Sequence, residues 1–332
     1  MKNIYKVMTT AALMGMLVGG TAWGAVEAAG SAGAKVQTAN SAVAQASAAK
    51  ADSVTQNGIT LTVSKALYDG NYVSLTLQRS GKGYTGGITD GKFNEATQKY
   101  ERPKGAIEKI EMFIDGKSIY EFGGGGLGER PSLGWGPPST PDTLEVKMVD
   151  PSWIGSDGMT SPAFPDKFKL TAKITLKGVD QPYTFDFSLQ KNAENLQALK
   201  PNLTKKRGDY SVTLSKLNAT STSTRIQLIE KGLKKGEHSH ILYEVVDDQG
   251  NLLDQKSGLG TDEKNKNGDM YTDYVFSPPA KEAKSITIRA FEPDFVPDNP
   301  DDPSSPGIYK TDSNGETIKN YIKELEMTVN IK

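Results

Sequence analysis

The sequence contains one long internal repeat, and this repeat constrains the fold more than any other feature. Ile59–Leu77 reads ITLTVSKALYDGNYVSLTL, and Tyr210–Leu228 reads YSVTLSKLNATSTSTRIQL. The dipeptide Ser64-Lys65 in the first copy matches Ser215-Lys216 in the second. Two long copies with different loops indicate duplication of one domain, because a solenoid needs three or more short repeats to bury its core.

The first copy has the period of a β-hairpin. Ile59, Leu61 and Val63 alternate with Thr and Ser, which is typical of a strand with one buried face. Asp69–Asn71 supplies a turn, and apolar residues alternate again on the return strand as far as Leu77. The repeat therefore predicts that each domain begins with a hairpin.

Further strands are predicted across residues 54–190. They are Ile110–Tyr120, with a type I′ turn at Asp115-Gly116, then Leu144–Met148, Phe168–Leu176 and Tyr183–Leu189. About seven short strands with irregular connections are typical of an immunoglobulin-like β-sandwich. The 34 Gly and 17 Pro residues favour the same turn-rich class.

A second immunoglobulin-like sandwich is predicted over residues 208–332. Its later strands echo the first copy at His240–Leu253, Ser285–Phe291 and Leu325–Ile331. The two domains are separated by a predicted linker, residues 191–207, whose middle could form a short helix that ends at Pro201. The expected fold class is all-β, with two tandem sandwiches.

The N-terminus has the layout of a secretory signal peptide over residues 1–28. Lys2 and Lys6 precede the apolar run Val7–Trp23, and small residues give plausible cleavage points after Gly24 or Ala28. An uncleaved membrane anchor is the alternative, since the run is at the lower limit for a span. Both readings place the rest of the chain outside the cytoplasm. Residues 29–53, rich in Ala and Ser, are expected to form a flexible spacer.

Composition excludes several function classes. The 39 basic and 40 acidic residues give a net charge of -1, so no basic field for nucleic acid is expected. Cysteine is absent, which excludes disulfides, thiolate catalysis, cysteine-ligated zinc and a lipid-bearing cysteine. A cysteine-free exported chain fits a Gram-positive exterior.

Two motifs of catalytic or cofactor sites lack their required context. Gly123–Gly128 (GGGGLG) matches the dinucleotide pattern, but Pro131 and the Gly and Pro residues after it prevent the helix that would bind a pyrophosphate. His238 and His240 are the only histidines, and two imidazoles on one strand face fall short of a closed metal site. No catalytic residue is predicted, and the chain is expected not to be an enzyme.

Calcium is the one cofactor that the sequence suggests, and only weakly. Oxygen ligands alternate before a glycine in one segment, and acidic residues cluster in a proline-rich segment further on. The closing bidentate Glu of a calcium loop is missing, and both segments are also typical of solvated loops. The candidate ligands are Glu263, Asn265, Asn267 and Asp269 in the first segment, and Asp294, Asp298, Asp301 and Asp302 in the second.

Four aromatic residues in long loops of the first domain are candidates for a sugar- or peptide-binding surface. They are Tyr84, Tyr100, Trp135 and Trp153. The alternative is that these rings pin their loops to the domain, because each aromatic side chain buries a large area.

Gln56–Leu77 (QNGITLTVSKALYDGNYVSLTL) resembles the opening of an uncharacterised extracytoplasmic domain of Gram-positive bacteria. In those proteins an anti-sigma-like segment and a membrane helix usually precede this domain, and a second uncharacterised immunoglobulin-like domain follows it. The resemblance implies a fold and a location, and no catalytic residues. This chain has no cytoplasmic segment before its apolar run, which argues against direct control of a sigma factor.

The leading functional hypothesis is an exported, non-enzymatic protein that is secreted or held at the cell surface. It would bind an envelope protein or wall polymer through sandwich loops, and would contact the membrane only if the N-terminal run stays uncleaved. An extracytoplasmic sensor of a small ligand or calcium is the alternative. A carbohydrate-active enzyme comes third, because paired carboxylates are recognised only by their separation in space.

Overall fold

The computed structural model describes residues 52–124, 130–136, 138–155, 161–192, 195–233, 240–261, 269–297 and 307–332. These residues form β-strands and two short 3-10 helices, which confirms the all-β prediction. Two compact units are present: Met1–Ser152 with Ser161–Ala193, and Trp153–Thr160 with Glu194–Lys332. Within the described ranges, no helix has the length and apolar character needed to cross a membrane.

The first unit is a sandwich of two antiparallel sheets. Its larger sheet has the order β1-β2-β3-β9-β8, its smaller sheet has the order β11-β10-β6-β7, and β4 and β5 form a separate hairpin. The strands are β1 (Asp52–Gln56), β2 (Ile59–Tyr68), β3 (Val73–Gly81), β4 (Lys92–Asn94), β5 (Lys99–Glu101), β6 (Ile107–Ile114), β7 (Lys117–Ser118), β8 (Ser132–Trp135), β9 (Thr143–Val149), β10 (Lys167–Leu176) and β11 (Tyr183–Gln190); the first 3-10 helix is Ile119–Gly124.

The core of the first unit lies between these two sheets. Strand β11 alternates strictly between buried and exposed residues, so Tyr183, Phe185 and Phe187 point inward. Leu61 on β2 and Leu170 on β10 are fully buried in the same cluster. The alternation in the sequence is therefore the cause of the sandwich, because each sheet can bury its apolar face only against the other.

The second unit is also a sandwich. Its larger sheet has the order β12-β14-β15-β19-β18 with β13 also paired to β14, and its smaller sheet has the order β17-β16-β20-β23 with β24 also paired to β20. The strands are β12 (Gln197–Leu199), β13 (Leu203–Arg207), β14 (Tyr210–Ala219), β15 (Thr224–Lys231), β16 (Leu242–Asp247), β17 (Leu252–Leu253), β18 (Gln255–Thr261), β19 (Met270–Phe276), β20 (Ser285–Pro293), β21 (Phe295–Pro297), β22 (Gly307–Tyr309), β23 (Lys319–Tyr321) and β24 (Met327–Asn330); the second 3-10 helix is Lys323–Leu325.

The two units share one topology. The path β1-β2-β3-β9-β8 in the first unit corresponds to β13-β14-β15-β19-β18 in the second. The path β11-β10-β6-β7 corresponds likewise to β24-β20-β16-β17. The internal repeat in the sequence therefore extends to strand order in both sheets, which supports duplication of a single sandwich.

A β-bulge occurs at the same place in both copies. The pairing of β2 with β3 shifts between Val63 and Lys65, and the pairing of β14 with β15 shifts between Leu214 and Lys216. One extra residue, Ser64 or Ser215, is thereby inserted into the strand. After the bulge in β2, the core-facing residues change from odd to even positions. After the bulge in β14, they change from even to odd positions.

In the described residues of the segment 191–207, which exclude 193 and 194, the predicted helix is not formed. Strands β12 and β13 occupy this segment and pair with β14, with Asn202 at a φ of 48° in the turn between them. Leu199 and Leu203 pack against the core of the second unit. Burial of these side chains and pairing along β14 override the local helix propensity.

Candidate binding surface

A buried arginine at the end of β3 holds the segment 82–106. Arg79 is 2% exposed. Its Nε and Nη2 atoms donate to Oδ1 of Asp142 at 2.9 and 2.5 Å, and its remaining bonds go to the carbonyl oxygens of Gly105 and Gly86 at 2.8 and 2.6 Å. One guanidinium thus binds both ends of the segment, because Gly86 and Gly105 lie on either side of the β4–β5 hairpin.

The same segment is anchored by packing. The ring of Tyr84 lies 3.9 Å from Cζ of Arg79, within the range of a cation–π contact. A Cβ atom added at Gly105 would lie 2.4 Å from Cβ of Tyr84, so this close approach requires glycine. Ile88 is fully buried in the core; its backbone N–H donates to the carbonyl oxygen of Pro141, and its carbonyl oxygen accepts from the N–H of Ile107. The hairpin therefore projects from a fixed base.

The β4–β5 hairpin carries two exposed aromatic side chains directly opposite each other. Phe93 pairs with Tyr100 in the antiparallel register, and the two residues are 47% and 38% exposed. Opposite residues of an antiparallel pair have Cβ atoms only about 5 Å apart. The rings consequently form one apolar surface. We call this surface, together with Arg102 over the Tyr100 ring, the hairpin platform and define it as Phe93, Tyr100 and Arg102.

The turn of this hairpin is fixed by Asn94. Its Oδ1 accepts hydrogen bonds from the backbone N–H groups of Ala96 and Thr97 at 3.0 and 3.2 Å, and its Nδ2 donates to Glu101 at 2.8 Å. Such a side-chain turn holds the chain reversal without apolar packing. Both strands are thereby kept in register although they are only three residues long.

A glycine accommodates one edge of the platform. A Cβ atom at Gly91 would lie 2.2 Å from Cε1 of Tyr100. The tyrosine ring therefore leans over the glycine backbone, an arrangement that shields a sheet edge. Any larger residue at position 91 would displace the ring.

The one charge of the platform is a guanidinium. Cζ of Arg102 lies 4.8 Å from the centroid of the Tyr100 ring. Among the described residues, Arg102 makes no hydrogen bond or ion pair, in contrast to Arg79. Its N–H groups remain available to a ligand, since stacking uses only the face of the guanidinium.

The other three predicted loop aromatics pin their own segments. Tyr84 stacks on Arg79, and Trp135 packs against the core of the first unit. Trp153 belongs to the second unit, where its ring lies 4.6 Å from Cζ of Arg225. Only Tyr100 of the four is part of the exposed platform. Phe93 was missed by the sequence reasoning, because the three-residue strands β4 and β5 have no buried face and therefore no apolar alternation.

The candidate calcium ligands are only partly described. Asp269 forms an ion pair with Nζ of Lys231 at 3.1 Å. Asp294 accepts a hydrogen bond from Nδ2 of Asn320 at 2.7 Å, and its carboxylate lies 3.9 Å from Nζ of Lys310. The other six candidates, Glu263, Asn265, Asn267, Asp298, Asp301 and Asp302, lie outside the described residues.

The remaining sequence motifs add no site. His240 is exposed, while His238 and most of the glycine-rich motif lie outside the described residues. In the part of the chain that the structure describes, no three His, Asp or Glu side chains form a group that could hold a metal ion. An open depression of about 360 Å³ lies at the ends of β10 and β11, lined by Lys167, Phe168, Ser188, Leu189 and Gln190. This lining contains neither a carboxylate nor an imidazole.

The second unit contains a buried acid surrounded by tyrosines. Glu230 is 1% exposed and accepts hydrogen bonds from Tyr210 at 2.5 Å and Thr272 at 3.3 Å, while Tyr210 and Tyr243 share a bond of 2.7 Å. Burial, and then the negative charge of Glu230, raise the pKa of Tyr243 well above its usual value. Tyr243 therefore stays protonated at neutral pH, while the hydroxyl of Tyr210 donates to the buried carboxylate.

Comparison with known proteins gives a family match for part of the chain. Residues 197–329, which lie in the second unit, match a family of unknown function (DUF5643). No curated protein matches the chain. Among solved structures, the crystal structure of the conserved domain protein from Bacillus anthracis is similar at 12% identity, with a TM-score of 0.47, over 85% of this chain and 90% of that one.

Proposed function

We propose that the chain is an exported, non-enzymatic protein of the Gram-positive cell envelope that binds an envelope partner through the hairpin platform. The observation that carries this proposal is the exposed pair Phe93 and Tyr100 on a hairpin whose base is fixed by Arg79. Exposed apolar surface that is held rigidly is typical of binding sites, because ordering it costs no further entropy on association.

Export is supported by the N-terminal layout of charge, apolar run and small residues over positions 1–28. The resemblance to the extracytoplasmic part of Gram-positive anti-sigma-like membrane proteins favours the same location. The match of residues 197–329 to a family of unknown function is compatible with a binding role and adds no activity to it.

Cosedimentation with native cell envelopes tests the proposal. The chain from Gly30 onward should sediment with the envelopes, and replacement of Phe93 and Tyr100 by Ser should leave most of it in the supernatant. Tyr120→Ser is the matched control, because Tyr120 is another exposed tyrosine (46%) of the first unit that carries an arginine, Arg130, against its ring.

Two further arms identify the kind of partner. Protease treatment of the envelopes removes a protein partner, and chemical extraction of wall polymers removes a polymer partner. Equal sedimentation of wild type and the Phe93/Tyr100 double variant would refute binding through the platform. N-terminal sequencing of the mature protein should give a start after Gly24 or Ala28; an intact Met1 on exported protein would refute cleavage.

A further inference from the structure

We infer that the hairpin platform binds a polysaccharide whose sugar rings carry carboxylates. This inference rests on the proposed function and specifies the partner of the same surface. It is argued from two properties of the platform: two adjacent exposed rings, and one guanidinium that has no hydrogen-bond partner among the described residues.

The exposed rings fit the apolar face of sugars. A pyranose presents a face of C–H groups that packs on an aromatic ring, and the positive C–H edges complement the negative ring face. Phe93 is the more exposed ring, while Tyr100 leans over Gly91 and carries Arg102, so Tyr100 contributes its remaining exposed part and positions the guanidinium. Phe93 and Tyr100 are cross-strand neighbours, so the surface they offer is longer than one ring. A surface of this length suits consecutive residues of a chain better than a single sugar.

The guanidinium supplies the charge requirement. Arg102 is positioned by its stacking on Tyr100, and its in-plane N–H groups have no partner among the described residues. A planar guanidinium binds a carboxylate with two parallel hydrogen bonds. Since Arg102 lies against the same ring that would contact the sugar, the carboxylate must sit on that sugar or its neighbour.

A peptide fits this surface less well than a glycan. Peptides gain affinity from pairing along a sheet edge and specificity from pockets that take their side chains. The platform itself presents rings and a guanidinium, whereas the backbone groups of β4 and β5 that do not pair with each other lie along the outer edges of this two-stranded sheet. A peptide that added a strand at such an edge would pair with the backbone and would not need the two rings. Peptide binding is therefore an outcome that the experiment must distinguish.

Affinity electrophoresis of the chain from Gly30 onward tests whether binding requires the sugar rings of a polymer, its carboxylates, or both. Three soluble polymers serve as probes: polygalacturonate carries rings and carboxylates, dextran carries rings without charge, and polyglutamate carries carboxylates without sugar rings. Wild-type protein should be retarded by polygalacturonate and much less by either of the others. Added salt should weaken the retardation, because exposed charges are screened within about 10 Å at 0.1 M.

Variants assign this binding to the platform. Phe93→Ala, Tyr100→Ala and Arg102→Gln should each weaken binding to polygalacturonate about tenfold, as expected for central contacts of an interface. Gly91→Ala should weaken it as well, because the new Cβ displaces the Tyr100 ring. Tyr120→Ala and Arg130→Gln are matched controls that should leave binding unchanged, and thermal melts confirm that every variant is folded.

Each other outcome overturns the inference. Equal retardation by dextran or polyglutamate would show that rings or charge alone suffice. Binding to polygalacturonate that the platform variants do not weaken would place the site elsewhere. If none of the polymers is bound while envelope cosedimentation still depends on Phe93 and Tyr100, the polysaccharide is wrong and the proposed function stands; if cosedimentation is also independent of these residues, both fail.

Discussion

At the residue scale, each unit buries one arginine against one aspartate and one aromatic ring. Arg79 uses Asp142 and Tyr84, and Arg225 donates to Asp273 at 3.0 and 2.7 Å beneath Trp153. A buried ion pair contributes little net stability, since desolvation of both charges offsets their attraction. The geometry indicates that these arginines determine loop conformation, because each one binds groups from segments outside the sandwich core.

Replacement of Arg79 by Met should lower the free energy of unfolding of the first unit by about 3 kcal/mol, because Asp142 and two carbonyl groups lose their donor. Urea denaturation measures this loss. Limited proteolysis should also show faster cleavage within residues 82–106. Arg102→Met, at an exposed arginine of the same segment, is the control and should change stability by less than about 0.5 kcal/mol. Equal protease resistance of the Arg79→Met variant and wild type would contradict the anchoring role.

At the element scale, the shared bulge determines which side chains of the opening strand are buried. In β14, Val212 and Leu214 face the core before Ser215, and Leu217 and Ala219 face it afterwards. Without the extra residue, one of these two pairs would point to solvent, because side chains alternate with a period of two. The bulge therefore belongs to the duplicated unit as much as the strands do.

Deletion of Ser215 should abolish cooperative unfolding of the second unit, since the register slip exposes Leu217 and Ala219. Ser215→Ala is the matched control, because it removes only a hydroxyl group and should change stability by less than about 0.5 kcal/mol. Thermal denaturation followed by circular dichroism distinguishes the two variants. A deletion variant as stable as the control would show that the strand tolerates either register.

The alternation of apolar residues along the strands made most of these elements predictable. It did not predict the candidate binding surface. The hairpins at Ile59–Leu77 and Asp115-Gly116 formed as expected, because turn residues and the apolar period agree there. The hairpin β4–β5 lacks a buried face, so periodicity carries no signal for it. Its position depends on Arg79, whose partners Gly105 and Asp142 are 26 and 63 residues away in the sequence, so that spacing alone could not predict these contacts.

At the scale of the whole molecule, the compact units do not follow the order of the chain. Trp153 belongs to the second unit, although it lies in sequence between β9 and β10 of the first. Gln227 donates a hydrogen bond to the carbonyl oxygen of Trp153, and Arg225 lies against its ring. Trp153 thus completes the cover over a buried ion pair of the second unit.

Trp153→Ala should destabilise the second unit by about 1–3 kcal/mol, through lost burial and a lost cation–π contact. Trp135→Ala is the reciprocal variant and should act on the first unit, whose core Trp135 contacts. Hydrogen exchange assigns each loss to a unit by the protection of buried strands in the two sandwiches. Loss of protection in β2 and β3 upon Trp153→Ala, with β14 and β15 unchanged, would contradict this assignment.

The position of Trp153 limits how the two copies can be handled as modules. A fragment that begins at residue 195 contains every strand of the second sandwich but lacks the indole that lies on Arg225. A gene fusion, a domain swap or an expression vector designed on strand boundaries would therefore yield a second sandwich with a solvent-accessible ion pair. A module that retains the second sandwich with its buried ion pair covered must therefore include Trp153 from the stretch between β9 and β10.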